Sequence, residues 1–168
     1  NIKTPQGRDI VRALADKCDI VVENFRPGTL ERLGLSYEEL SKNNPALILV
    51  RISGYGQSGP QSANAGYGAI CEAFAGVRHM TGDPDRPPVR CSMPVTDYHT
   101  GAEAAAAILM ALHRRDRTGQ GDLLDLSVQE TMLMANVTHA AQAWGTKFRG
   151  KRTGSAYRVG ESTQREIW

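Results

Sequence analysis

Two short runs of apolar residues constrain the fold of this chain more than any other feature of its sequence. The first is Asp19-Ile20-Val21-Val22, and the second extends from Leu47 to Ile52. Neither run alternates apolar with polar residues, so each predicts a strand buried on both faces, as in a parallel sheet covered by helices. A third strand is predicted over Leu123 to Val128. Strands separated by helices specify an α/β fold with a mostly parallel sheet and flanking helices.

Helix signals lie before, between and after these strands. Thr4-Pro5 favours a helix start because Thr caps the first amides and Pro fits the first helical position. The predicted helices cover Thr4 to about Lys17, Thr29 to Leu33, a short segment from Ser36, Ala69 to Val77, and Ala102 to about Arg115. Near the end, Leu133, Val137, Ala140 or Ala141, and Trp144 predict the core-facing side of another helix.

Two connections follow the predicted strands and are candidates for ligand binding. They are Glu23 to Gly28 and the Gly-, Ser- and Pro-rich stretch from Ser53 to Gly68. A loop as long as the second one is usually functional in a compact domain. Parallel α/β sheets bind ligands at the carboxyl ends of their strands, so we expect both connections to line one crevice.

Composition excludes several classes of protein. With 168 residues, 40% hydrophobic and 23% charged, the chain resembles an ordinary globular domain, and a net charge of +2 gives no reason to expect a nucleic-acid partner. No apolar run approaches the ~20 residues of a membrane span. Three widely separated cysteines predict neither a disulfide framework nor a thiolate metal site, which favours the cytoplasm. The absence of an initiating Met predicts a fragment of a longer protein.

Asp97 is the strongest candidate for a reactive group. It precedes the alanine-rich helical run from Ala102 to Leu112. Unpaired amides and the positive end of the helix dipole stabilise a negative charge at such a place, which makes the carboxylate available as a nucleophile. Asp is also a good N-cap residue, and Thr100 with Glu103 fits a capping box, so a structural role explains the same residues. His99 is the histidine that we would test for proton transfer.

Other motifs are less specific. Gly54-x-Gly56-x-x-Gly59 has the letters of a dinucleotide fingerprint, but Pro60 and the polar residues after it delay any helix, so a loop that covers a ligand is favoured. Asn24-Phe25-Arg26 suits a nucleotide, with an aromatic face for the base and a guanidinium for phosphate, and it equally suits an ordinary turn. The four histidines lack the spacing of a metal pair, and no metal is expected.

Several segments, taken in order, resemble one known family. They are Val21-Val22-Glu23-Asn24-Phe25-Arg26-Pro27-Gly28, Glu31-Arg32-Leu33-Gly34-Leu35, Ser53-Gly54-Tyr55-Gly56-Gln57-Ser58-Gly59-Pro60, Ala65-Gly66-Tyr67, Asp97, and Arg117-Thr118-Gly119-Gln120-Gly121. The order and spacing are similar to those of the class III coenzyme A transferases, the CaiB/BaiF family that includes formyl-CoA and carnitine CoA-transferases. The resemblance implies a Rossmann-like fold, with residues 1–146 as part of the large domain and 147–168 as a polar tail or linker toward a small domain.

The resemblance also implies roles for particular residues. Asp97 would attack the acyl-CoA thioester, giving a mixed anhydride and then an aspartyl-CoA thioester. The residues implied to contact the CoA nucleotide are Asn24, Phe25, Arg26 and Arg32, and those implied to line the thioester end are Ala65, Gly66, Tyr67 and Gly68. The substrates would be acyl-CoA and a carboxylic acid, with no metal, and family members form interlocked homodimers.

Tyr67 bears on the choice between two reactions. Related α-methylacyl-CoA racemases place a histidine there as one of two acid/base groups, whereas tyrosine, with an ordinary pKa of about 10, is a poor base near neutrality. We therefore favour transfer over racemisation or epimerisation. A non-catalytic acyl-CoA-binding fragment is a third interpretation.

Overall fold

The computed structural model describes residues 1–146 and 150–154, together with the strand backbones over 156–159 and 163–166. The chain divides into two compact units. The first contains Asn1–Ala65 and Thr100–Ser127, and the second contains Gly66–His99 and Val128–Trp168.

The first unit is built on a three-stranded parallel sheet. Its elements, in chain order, are α1 (Pro5–Ala15), β1 (Ile20–Glu23), α2 (Thr29–Arg32), α3 (Tyr37–Leu40), β2 (Ile48–Ser53), most of α6 (Val95–Thr118) and β3 (Asp122–Ser127). The strand order is β1-β2-β3, with Val22 beside Val50 and Val50 beside Leu124. The predicted α/β fold with a parallel sheet is therefore confirmed, and its three predicted strands lie within one residue of the observed ones.

The central strand β2 is buried on both faces. Leu47, at its start, and Leu49 pack with residues of α1 to α3 on one side, and Ile48 and Val50 pack with α6 on the other; all four are 0% exposed. Alternate residues of a strand point to opposite faces, so one apolar run supplies two cores. These cores hold helices on both sides of the sheet, as the sequence predicts.

The first helices begin where their capping residues predict. Thr4 accepts a hydrogen bond from the amide of Gly7 at 3.1 Å, and Pro5 is the first residue of α1. Ser36 accepts from the amide of Glu39 at 3.4 Å, at the start of α3. Each cap satisfies an amide that has no partner within its helix.

Helix α6 begins earlier than predicted, and this corrects two interpretations of the sequence. The carbonyl of Pro94 accepts from the amides of Asp97 and Tyr98, so the helix starts at Val95 and Asp97 lies in its first turn instead of at the N-cap. Thr100 is inside the helix and only 2% exposed, so it does not form a capping box with Glu103. Proline lacks an amide hydrogen but its carbonyl can accept, which makes it compatible with a position just before a helix.

The second unit is mainly helical. Its elements are α4 (Gly68–Phe74), α5 (Val77–Met80), the first turn of α6, α7 (Val128–Ala135), α8 (Val137–Thr146) and the strands β4 (Ala156–Val159) and β5 (Thr163–Glu166). Cys71 of α4 and Ala75, which follows that helix, are buried, as are Thr131 and Met132 of α7. The side-chain amide of Asn136 donates to the carbonyl of Ala75 at 2.9 Å and ties the end of α7 to the end of α4.

The predicted core face of the last helix is wrong. The segment forms two helices that are interrupted at Asn136, so Leu133 and Trp144 do not share one helical face. Leu133 and Val137 are 39% and 47% exposed, and Trp144 is 94% exposed.

Part of the predicted polar tail contains strands. β4 pairs with β5 in an antiparallel hairpin, with Tyr157 beside Arg165. Residues 147–149 of the tail lie outside the described residues, as do 155, 160–162 and 167–168. None of the described helices combines the length and the apolar composition that crossing a bilayer requires.

Asn44 yields a test of the first unit. Its amide nitrogen donates to the carbonyls of Ala15 and Cys18, both at 2.9 Å, and so links the end of α1 to the chain that leads into β2. We expect Asn44→Ala to lower the free energy of unfolding by about 1–3 kcal/mol, because both carbonyls lose a partner. Urea denaturation measures this. The control is Asn43→Ala, whose exposed side chain donates only to Asp16 at 3.4 Å; an equal loss in both variants would contradict the assignment.

Cys71 yields a prediction of pH dependence. Burial, and secondarily the nearby charge of Asp97, raise the pKa of the Cys71 thiol from 9.0 to about 11. Between these values the unfolded chain releases the proton while the folded chain retains it, so this contribution to stability is complete below pH 9 and is lost as pH rises to 11. We expect Cys71→Ala to flatten the decline of unfolding free energy over that window by up to roughly 2 kcal/mol. Urea denaturation from pH 8 to 11 tests this, with exposed Cys18→Ala as the control; identical pH slopes in wild type and Cys71→Ala would refute it.

Candidate active site

Charged residues form a row across the carboxyl ends of the strands in the first unit. Glu23 of β1 lies beside Arg51 of β2, which in turn lies beside Asp125 of β3. Glu23 and Arg51 are each only 6% exposed. Charged side chains are rarely buried to this extent unless they are paired, so this row marks the edge where the sheet changes from an apolar core to a polar surface.

Arg51 contacts two glutamates at once. Its Nε donates to Glu23 Oε1 at 2.7 Å, while Nη1 and Nη2 donate to the two carboxylate oxygens of Glu31 at 2.5 and 3.3 Å. The hydrogen bonds from Arg51 hold the pKa of Glu31 below its ordinary value. Burial alone would lower the pKa of Arg51, but the hydrogen bonds to both glutamates outweigh burial and raise it. Glu31 and Arg51 are therefore both charged near neutral pH.

The predicted nucleotide-binding residues lie in one segment, which directly follows Glu23 and contains Glu31. Asn24, Phe25 and Arg26 are exposed and follow Glu23, whose Oε2 accepts from the amide of Phe25 at 2.7 Å. Arg32 ends α2, and its Nη2 donates to the hydroxyl of Thr29 at 3.0 Å. We call residues 24–32 the β1–α2 segment. The first unit thus places all four predicted residues on the segment that Glu23 and Glu31 connect to Arg51.

The loop after β2 is held at one point by the carboxylate of Asp125 in β3. Gly56 has φ +81°, which favours glycine, and a Cβ there would lie 3.5 Å from a carboxylate oxygen of Asp125. The amide of Gln57 donates to both oxygens of that carboxylate, at 2.9 and 3.1 Å. No helix opens at Gly54, Gly56 or Gly59, so the segment lacks the structure of a dinucleotide fingerprint.

In the second unit, Asp97 lies against the start of α4. A Cβ on Gly68 would come within 2.9 Å of Asp97 Oδ1, so a side chain there would have to displace the carboxylate. Tyr67 precedes Gly68, is 68% exposed, and its carbonyl accepts from the amides of Ile70 and Cys71. Asp97 itself is exposed. An exposed carboxylate and an exposed phenol therefore flank a glycine at one end of the unit.

A buried pair of side chains holds this arrangement from the interior. The hydroxyl of Thr96 lies 3.1 Å from Glu72 Oε1 and 3.4 Å from the carbonyl of Gly68. Thr96 is 0% exposed and Glu72 is 2% exposed. Among the described residues, Glu72 Oε2 has no hydrogen-bond partner. The Thr96 hydroxyl thus connects the first turn of α6 to both ends of the first turn of α4.

The structure brings some of the predicted thioester residues together. Gly66, Tyr67 and Gly68 lie in the same unit as Asp97, and Gly68 is in contact range of it. Ala65 is the last residue of this part of the first unit and is exposed. No group of three His, Cys, Asp or Glu side chains among the described residues is arranged to hold a metal ion.

Sequence reasoning missed three charged residues. Arg51 could have been identified from the sequence, because a guanidinium within the apolar run from Leu47 to Ile52 requires buried partners. Its partner Glu31 is 20 positions away, and Glu72 is on a short helix without a clear apolar pattern. For these two, the sequence carries no signal of which side chain they meet.

Known proteins are similar to this chain over most of its length. The profile of CoA-transferase family III matches residues 1–164. A succinyl-CoA–D-citramalate CoA-transferase from Chloroflexus aurantiacus is 47% identical over 133 residues, which are 79% of this chain and 33% of that protein. The succinyl-CoA:glutarate CoA-transferase of Mus musculus is 42% identical over 157 residues, which are 94% of this chain and 36% of that protein.

A solved structure of similar fold extends the comparison. A CaiB/BaiF family protein from Brucella suis superposes with a TM-score of 0.89 and 35% identity, covering 98% of this chain and 43% of that one. The chain spans about a third of the length of the two curated relatives. Because the family profile covers nearly every residue, the chain belongs to CoA-transferase family III.

Proposed function

We propose that the protein transfers coenzyme A from an acyl-CoA thioester to a free carboxylic acid, with Asp97 as the nucleophile. The observation that carries the proposal is the exposed Asp97 carboxylate lying against Gly68 in a chain of CoA-transferase family III. A carboxylate nucleophile needs exposure to the substrate, and this position supplies it.

The proposed reaction proceeds through four carbonyl substitutions. A carboxylate oxygen of Asp97 attacks the thioester carbon, the C–S bond breaks, and CoA leaves as the thiolate. The thiolate attacks the side-chain carbonyl carbon of the Asp97 mixed anhydride, releasing the donor acid and forming an aspartyl-CoA thioester. The acceptor carboxylate attacks this thioester and again releases the thiolate, which then attacks the acceptor acyl carbon and restores free Asp97. No net proton transfer is required.

The local environment of Asp97 supports this role. It lies in the first turn of α6, a helix of 24 residues whose positive end favours a negative side chain. Each tetrahedral step also needs hydrogen-bond donors for its oxyanion. Gly68, without a side chain, leaves space beside the carboxylate for the attacked carbonyl.

The β1–α2 segment supports recognition of the CoA nucleotide. Phe25, 43% exposed, offers an apolar face for the adenine base, and Arg26 and Arg32 are suited to phosphate groups. Asn24 adds an exposed amide that can donate and accept. In the second unit, Gly66, Tyr67 and Gly68 are proposed to contact the thioester end, as is Ala65 of the first unit.

Two relatives narrow the proposed substrates. Both are named as transferases that use succinyl-CoA, one with D-citramalate and one with glutarate. We infer that this protein takes succinyl-CoA as donor and a dicarboxylic acid as acceptor, in the cytoplasm and as a homodimer.

Asp97 provides the principal test of the proposed function. We expect Asp97→Asn to lower kcat for CoA transfer from succinyl-CoA to glutarate at least ~10³-fold in the full-length protein, because the amide is a poor nucleophile. Mass spectrometry after incubation with acyl-CoA should find a CoA or acyl adduct on the wild-type peptide that contains Asp97, and none in the variant.

Asp116→Asn is the matched control, since it changes an exposed aspartate on the same helix. It should retain wild-type activity. Transfer activity that survives Asp97→Asn would refute the nucleophile. Exchange of an α-proton of the acyl group in deuterated water, without an acceptor acid, would favour racemisation or epimerisation instead. Tight CoA binding without either reaction would favour a non-catalytic binding protein.

Gly68 provides a second test. A Cβ 2.9 Å from Asp97 Oδ1 must displace the carboxylate, so we expect Gly68→Ala to lower kcat by about 10- to 100-fold without a comparable loss of stability. Gly101→Ala is the control, because a Cβ there meets nothing within 4 Å. Unchanged kcat in Gly68→Ala would show that the position of Asp97 beside this glycine is irrelevant to the reaction.

A further inference from the structure

We propose that Arg51 is a positioning residue for the CoA nucleotide, acting from beneath the binding residues without contacting the ligand. It holds both ends of the β1–α2 segment and neutralises the two carboxylates that would otherwise repel the phosphates. This inference rests on the proposed function, which assigns CoA recognition to the same segment.

The first step concerns geometry. Glu23 immediately precedes the segment and Glu31 lies near its end, and Arg51 bonds to both carboxylates. Glu23 also accepts from the amide of Phe25 at 2.7 Å. One guanidinium therefore fixes the separation between the start of the turn and α2. Because Arg51 belongs to the central strand, the segment is attached to the most rigidly packed part of the first unit.

The second step concerns charge. The segment and its support contain Arg26 and Arg32 as cations, and Glu23 and Glu31 as anions. Without Arg51 these four charges sum to zero, and the carboxylates of Glu23 and Glu31 lose the cation that pairs with both of them. With Arg51 the cations outnumber the anions by one. Charge on a partly buried group is weakly screened, so this difference acts on a phosphate at short range.

The third step concerns the residue type. Arg51 is buried, and three of its N–H groups are directed at two carboxylates. A planar guanidinium can satisfy both in one orientation, whereas the compact ammonium of lysine cannot match the two-oxygen contact with Glu31. Lysine would keep the positive charge but lose the two-oxygen contact with Glu31. Arg51→Lys therefore separates the contribution of charge from that of hydrogen-bond geometry.

The experiment compares two thioesters in the full-length protein. One is succinyl-CoA, and the other is succinyl-pantetheine, which has the same reacting group but no nucleotide. We expect Arg51→Met to raise KM for succinyl-CoA at least ~10-fold, a typical effect of removing one charged partner, while KM for succinyl-pantetheine and kcat with both thioesters stay within about twofold. Arg51→Lys should give an intermediate rise for succinyl-CoA alone.

The control is Arg115→Met. Arg115 also pairs with an aspartate in the first unit, Asp19 at 2.9 Å, but Asp19 precedes β1 and so lies at the opposite end of that strand. Arg115→Met should leave KM unchanged for both succinyl-CoA and succinyl-pantetheine. If Arg51→Met does not fold, as judged by circular dichroism, Arg51→Lys carries the test by itself.

Two outcomes would overturn the inference. In one, the Arg51 variants raise KM or lower kcat equally with both thioesters, which indicates a general structural role. In the other, they match wild type with both. Absence of transfer by the wild-type protein would contradict the proposed function instead, and calorimetric Kd values for CoA and pantetheine would still show whether Arg51 acts on the nucleotide half.

Discussion

The complete burial of β2 is the constraint on which the rest of the first unit depends. A strand with apolar residues on both faces cannot lie at an exposed edge, so it requires a strand on each side and helices above and below. β1 and β3 are the neighbouring strands, and α1 to α3 and α6 are the helices that cover the two faces. Because β1 and β2 are parallel, the β1–α2 segment and the loop after β2 both begin at the same edge of the sheet. The position of the proposed nucleotide-binding segment is thus a consequence of how the core is covered.

The same strand contains the charge that organises that edge. Arg51 is buried at the point where the apolar run ends, and a buried guanidinium without partners would cost several kcal/mol. Glu23 and Glu31 offset that cost, and in doing so they draw α2 toward the sheet. Replacing all three by apolar residues could give an equally stable unit. An apolar edge, however, would lack the ion pairs that connect the β1–α2 segment to Arg51, and under the proposed function these ion pairs serve nucleotide recognition.

The sequence predicted the sheet well and the second unit less well, for physical reasons. Strands with continuous apolar runs and helices with side-chain caps carry local signals, and Thr4, Ser36 and the run from Leu47 to Ile52 all lie where expected. The start of α6 is set by the carbonyl of Pro94, which competes with a better capping residue three positions later. Trp144 is exposed although its helical spacing predicts a core-facing position, because spacing identifies an apolar face but not what covers that face.

Asp97 could be identified from sequence only as a carboxylate near a helix start. Its relation to Gly68 is what supports the proposed role as nucleophile, because a capping aspartate turns back to its own helix while this one lies against a different element. Nothing in the sequence predicts that approach, since it depends on Thr96 and Glu72 holding α6 and α4 together from the interior. The glycine is the visible consequence. Under the proposed function, a residue without a side chain leaves the Asp97 carboxylate both close to the backbone and open to a substrate, whereas a purely structural aspartate would need only the first of these.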